Sequence, residues 1–219
     1  MANAIINLRE AVELCTTKRT SRPLLISSLN TLAHAYDSHH RHSKDISDVV
    51  EEVEVLRRVL NSTDKGKGRL VPLVNLTNAL WRLCGLEPGR SNDLDEALLR
   101  GREALKLSDR SDNVIHIKAL TALAQVLSAR YVQTSPKSVT DLDQAIQYYR
   151  KAMAIHYYRK AIGSDPKHGP EPILCSGLAS AIYIRCQDFE EALEGATLED
   201  AISYNQEALK TVGKFRSAL

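Results

Sequence analysis

The densest chemistry in the chain lies at Asp37-Ser38-His39-His40-Arg41-His42, whose imidazole spacing suits Zn2+ or Ni2+. The run also carries a competing arginine and has no second ligand cluster, so it reads as a solvated loop with no metal. Cys15, Cys84, Cys175 and Cys186 are scattered, form no CxxC pair and sit in apolar helical patterns. They read as small core residues of a reduced, cytoplasmic protein. No serine lies in a strand-to-helix elbow, and a nucleophile, its base and an orienting group cannot be assembled. Gly66-Lys67-Gly68 follows a helical pattern rather than a strand and lacks phosphate-loop spacing, so it reads as a turn. Neither an enzyme nor a cofactor is expected. The carboxylate pairs Glu51/Glu52 and Glu190/Glu191 read as solvated helix faces. One basic-aromatic patch remains: Tyr148, Tyr149, Tyr157 and Tyr158, flanked by Arg150, Lys151, Arg159 and Lys160. Such a patch could stack bases. Against that, 29 Lys+Arg balance 27 Asp+Glu for a net charge of +2, unlike a phosphate-backbone binder.

These residues need elements to carry them, and the bulk numbers bound the choice. A chain of 219 residues with 43% hydrophobic content can bury a continuous core. The opening MANAIINLREAVELC places Arg9 and Glu10 inside its apolar stretch, unlike a secretory signal. No apolar run is long enough to span a membrane. The sequons at Asn61-Ser62-Thr63 and Asn75-Leu76-Thr77 carry little weight in a reduced compartment, and the second falls inside a helical pattern.

The chain repeats itself. DISDVVEEVEVLRRVL from Asp45, DLDEALLRGREALKL from Asp93, DLDQAIQYYRKAMAI from Asp141 and TLEDAISYNQEALKTV from Thr197 open alike, at intervals of 48, 48 and 56 residues. AIINLREAVEL from Ala4 is a fifth copy. The long interval has a visible source: YYRKA occurs at Tyr148–Ala152 and again nine residues later, at Tyr157–Ala161. This local duplication should lengthen one helix by about two and a half turns and aim its twin copies at opposite sides. One copy should then project past the packed layer. A second set of segments, LLISSLNTLAHAY, LVPLVNLTNALWRL, IKALTALAQVLSARY and ILCSGLASAIYIRC, alternates with the first and keeps the same beat at Leu32, Leu76, Leu123 and Leu178. Both sets place apolar residues at i, i+3, i+4 and i+7, the period of an amphipathic helix. Asp45, Asp93 and Asp141 stand where N-caps are wanted, and breakers fall at Asp64–Gly68, Glu87–Gly89 and Gly163–Pro172. Nine helices are expected, in the order B, A, B, A, B, A, B, A, B. Alone, such helices cannot bury their apolar stripes, so the expectation is an all-α stack of antiparallel-packed pairs.

An A-type helix followed by a B-type helix resembles the tetratricopeptide repeat. The resemblance rests on LAHAY (Leu32–Tyr36), LTNAL (Leu76–Leu80), LAQVL (Leu123–Leu127) and LASAI (Leu178–Ile182) in the A helices. Small residues at Ala4/Ala11, Ala97/Ala104, Ala145/Ala152 and Ala201/Ala208 match the family's pattern in the B helices; the Asp45 copy departs from it with Val49 and Leu56. The period of about 48 exceeds the family's usual length and is similar to long-period fungal arrays, with Pro166–Pro172 as the closest linker. The resemblance covers nearly the whole chain. It implies a right-handed α-solenoid, a tetratricopeptide-like superhelix forming one repeat domain over residues 1–219.

In that family, polar A-helix positions line a concave groove that holds a peptide or partner helix. The matching positions are Asn30, His34, Asn75, Asn78, Trp81, Arg82, Lys118, Thr121, Gln125, Ser180 and Tyr183. Amides can pair with a peptide backbone as donor and acceptor, and Trp81 could anchor an apolar side chain or pack between helices. The family's carboxylate-clamp positions keep only Asn78 and Asn75, with His34, Gln125 and Ser180 at the others, which argues against a chaperone-tail clamp. The implied function is a non-catalytic protein-interaction scaffold. The alternatives are an RNA-binding helical repeat protein, or the regulatory array of a larger peptidase or NTPase protein. The array begins and ends on B-type helices, which suggests a segment of a longer array or a homodimer through the uncapped first helix.

Overall fold

A computed structural model of the chain describes residues 2–18, 21–108, 113–161, 172–188 and 199–206. Regular structure among them is entirely helical. The elements are α1 (Ala2–Thr17), α2 (Arg22–Ser43), α3 (Ile46–Ser62), α4 (Leu70–Leu86), α5 (Ser91–Leu107), α6 (Asn113–Gln133), α7 (Val139–Ala161) and α8 (Pro172–Asp188). A 3-10 turn at Lys67–Arg69 leads into α4, and residues 199–206 are helical. The A-type strings fall on α2, α4, α6 and α8, the B-type strings on α1, α3, α5 and α7. Among the described residues no helix is long and apolar enough to cross a membrane.

The chain divides into two compact units, Met1–Ser108 and Asp109–Leu219. In the first, each of α1 to α5 packs on its neighbour in sequence. The core is the apolar stripe of every helix: Val12 from α1, Leu29 and Leu32 from α2, Val49 and Leu56 from α3, Leu76 and Leu80 from α4, and Leu94 and Ala97 from α5, all buried. Each large aliphatic chain so buried contributes about 1.5–3 kcal/mol of transfer free energy. Ala97 and Ala104 are fully covered, as close helix approach requires, and Val49 and Leu56 are equally covered in the copy that lacks alanine. Ala4, by contrast, is exposed on α1.

In the second unit α6 packs on α7, α7 on α8, and α6 also meets α8. Leu123, Leu127 and Tyr131 from α6, Ala145, Ile146 and Tyr149 from α7, and Leu178 and Ile182 from α8 form the core. Gly177 lets α7 and α8 approach closely. A Cβ there would stand 2.6 Å from Cζ and from Oη of Tyr149, whose ring is itself buried. The duplicated segment lies wholly within α7, which at 23 residues is longer than α3 and α5 at 17 each. The first copy packs, with Tyr149 and Ala152 buried, whereas Tyr157 of the second is 40% exposed.

Three expectations about the helix ends need correction. Asp45 is an N-cap, its carboxylate accepting from the Ser47 amide at 2.9 Å. Asp93 is not, because α5 begins two residues earlier at Ser91; it lies in the first turn and accepts from Arg90 Nε at 2.5 Å. Asp141 likewise lies in the first turn of α7 and accepts from Arg130 Nε at 2.7 Å. A first-turn carboxylate still complements the positive end of the helix dipole, so the residue type fits. The segment Asp37–His42 is not a loop but the last turns of α2, which Lys44 closes in the left-handed conformation (φ 60°). Breakers at Asp64–Gly68 and Glu87–Gly89 do fall between helices; of the one at Gly163–Pro172 only Pro172 is described, at the start of α8, and of the copy beginning at Thr197 only 199–206.

Candidate interaction site on the A-type helices

The helical period that buries Leu76, Ala79, Leu80 and Leu83 of α4 carries Asn75, Asn78 and Arg82 onto a different stripe, at i, i+3 and i+7. Asn75, Asn78 and Trp81 are half-buried. Among the described residues neither amide of Asn75 or Asn78 has a hydrogen-bonding partner. On α2, Asn30 is half-buried and His34 exposed. On α6, Lys118 is exposed, but Thr121 and Gln125 keep only 8% and 6% of their surface. The Thr121 hydroxyl is spent on the Ile117 carbonyl at 2.9 Å. On α8, Ser180 and Tyr183 are exposed, and the Tyr183 hydroxyl accepts from the Gln187 amide at 2.5 Å. The positions open enough to meet a partner are therefore Asn30, His34, Asn75, Asn78 and Trp81 in the first unit, and Lys118, Ser180 and Tyr183 in the second.

Arg82 is committed inside the protein. Its Nη1 donates to Asp37 on α2 and its Nη2 to Glu52 on α3 at 2.6 Å, while its Nε is buried with no acceptor. Arg41, one helical turn beyond Asp37, donates to the same carboxylate at 2.8 Å. Burial works to raise Asp37, yet Arg41 and Arg82 together hold it below the usual carboxylate range. Glu52 behaves oppositely: burial pushes its carboxyl up to about 7 against the pull of Arg82, and neighbouring Asp37 adds to the push. The expectation that Glu51 and Glu52 are both solvated is thus half corrected. Glu51 faces solvent and meets Arg9 at 3.5 Å, whereas the Glu52 side chain is 7% exposed. Glu190 and Glu191 lie outside the described residues.

The histidine run is engaged in closing α2. His39 Nδ1 is 2.7 Å from Asp48 of α3, His40 Nδ1 is 2.7 Å from the Asp45 carbonyl, and His42 Nδ1 is 2.8 Å from the Ser38 carbonyl. No group of three or more His, Cys, Asp or Glu among the described residues could hold a metal. Other cross-helix contacts are also built from arginine. Arg9 donates to the Tyr36 hydroxyl at 2.5 Å with its guanidinium over the ring, and Arg57 of α3 reaches Glu96 of α5 at 2.6 Å. In the second unit Arg185 of α8 bonds Asp143 of α7 at 3.0 Å. Of the basic-aromatic patch, Tyr149 is buried, Lys151 lies 5.8 Å from the Tyr148 ring centroid, and the side chains of Tyr158, Arg159 and Lys160 lie outside the described residues.

No family model matches the chain, and no curated protein matches it. Among solved structures it is similar to one described as a DHF58 filament, at 14% identity and a TM-score of 0.44, covering 90% of this chain and 96% of that one. A likeness at that level carries no argument about either fold or function.

Proposed function

We propose that this chain is a non-catalytic protein-interaction scaffold: a right-handed α-solenoid of the tetratricopeptide type that offers its A-type helices to a peptide or partner helix. The observation that carries the reading is the α4 stripe. There, two half-buried amides, Asn75 and Asn78, with no hydrogen bond to another group among the described residues, accompany a half-buried Trp81. A half-buried amide is stabilised by acquiring hydrogen bonds, and a partly covered indole gains by being fully covered. The exposed Lys118, Ser180 and Tyr183 are the corresponding positions of the second unit. Burial of Tyr149 removes one stacking platform from the RNA-binding alternative.

The test is a peptide-library selection on the full chain, followed by titration calorimetry of the best binder. Asn78→Ala and Trp81→Ala are each expected to weaken binding about tenfold or more, equivalent to about 1.4 kcal/mol. Leu99→Ser, an exposed position on α5, is expected to leave it unchanged. Binding that survives both α4 substitutions in a chain of unaltered helicity would place the site elsewhere.

A further inference from the structure

We propose that Asp37, Arg82 and Glu52 form a proton-operated latch joining α2, α3 and α4 of the first unit, closed when Glu52 holds a proton and strained open when it is ionised. The geometry assigns two carboxylates to a single guanidinium: Arg82 Nη1 on Asp37 and Nη2 on Glu52. With Glu52 protonated, Asp37 and Arg82 balance one to one. The neutral carboxyl still accepts from Nη2 through its carbonyl oxygen. With Glu52 ionised, two carboxylates share Arg82, and Arg41, the second cation, bonds Asp37 alone. The Arg41 side chain is 71% exposed and is largely screened by water. Arg82 Nε is buried without an acceptor, so the guanidinium holds the two carboxylates through its terminal nitrogens alone.

The charged neighbours of this part of α3 among the described residues come from four helices. From α1, Arg9 faces Glu51; from α2 come Asp37, Arg41, and His39, which meets Asp48; from α4 comes Arg82. From α5, Glu96 and Asp93 face Arg57, five residues along from Glu52. None supplies Glu52 with a second buried cation. The sign follows from burial, which lifts the folded-state value of Glu52 from 4.5 to about 7. Between those values the folded chain keeps a proton that the unfolded chain has released, so stability is present at low pH and is lost as pH rises through about 7. The latch therefore works across neutrality, independently of any partner.

Trp81 is the single tryptophan in the chain and immediately precedes Arg82, which makes its fluorescence a local reporter. The experiment measures Trp81 emission and the melting temperature of the full chain from pH 5.5 to 8.5. In the wild type we expect an emission transition near pH 7 and a melting temperature about 5–10 °C lower at the alkaline end. In Glu52→Gln both changes should vanish. In Asp37→Asn, which removes the competing carboxylate, the transition should move to lower pH. His39→Gln should leave the transition in place, since that imidazole serves Asp48. A transition that persists in Glu52→Gln, or disappears in His39→Gln, overturns the proposal. So does a wild type whose emission and melting temperature are flat across the range.

Discussion

At the scale of single residues, the unusual group is a carboxylate on the wrong face. Glu52 falls in phase with Val49, Val53 and Leu56, the apolar stripe of α3, and is buried with them. Its position relative to that stripe was readable in the sequence; pairing it with Glu51 as a solvated face ignored the 100° between neighbouring residues. Arg82→Ala should destabilise the first unit by about 3 kcal/mol, because it strands Asp37 and Glu52 without their shared donor. Urea denaturation at pH 7 measures this, and a loss below about 1 kcal/mol would show that the carboxylates find other partners. Thiol chemistry should follow burial as well. Cys15, Cys84 and Cys175 are buried, and burial raises the Cys84 thiol to about 11, so Cys186 should alkylate first in the native chain. Mass spectrometry of partially labelled protein reads the order directly, and early labelling of Cys84 would contradict it.

At the scale of elements, the helices were legible because the period of their apolar residues is strong and repeated. Leu32, Leu76, Leu123 and Leu178, the aligned positions of the A-type strings, are all buried. The helix ends were less legible, since an aspartate fits both the cap and the first turn. Asp45→Ala should cost α3 about 1 kcal/mol through its lost cap. The duplicated motif offers an internal comparison on one helix. Tyr149→Ala removes a ring that is 2% exposed and should cost about 3–5 kcal/mol, whereas Tyr157→Ala should cost less than about 1 kcal/mol. Equal losses would mean that both copies pack alike. Gly177→Ala should destabilise the second unit by about 1–3 kcal/mol, because a methyl group would collide with the covered Tyr149 ring. The smaller Tyr149→Leu side chain in the same background should recover part of that loss. Nothing in the sequence singled out Gly177: a glycine within a helix declares its purpose only when the neighbour across from it is known.

At the scale of the whole chain, the repeat beat of 48 residues foretold the alternation of helices, and the two units each show it with their own buried core. The candidate partner surface was legible as a list of positions but not as a surface. Whether Thr121, Gln125 or Arg82 faces outward depends on neighbours that no single repeat contains. Beyond the apolar core, arginine ties many of those neighbours together: Arg9, Arg57, Arg69, Arg82, Arg130 and Arg185 each pair with a carboxylate on another helix. This choice of cation should colour how the chain responds to chemical denaturants. Guanidinium chloride is at once a salt and a free copy of the arginine head group, so it screens these pairs and competes for their carboxylates, while urea does neither. Where an ordinary protein needs roughly twice as much urea as guanidinium to unfold, this one should need distinctly more than that.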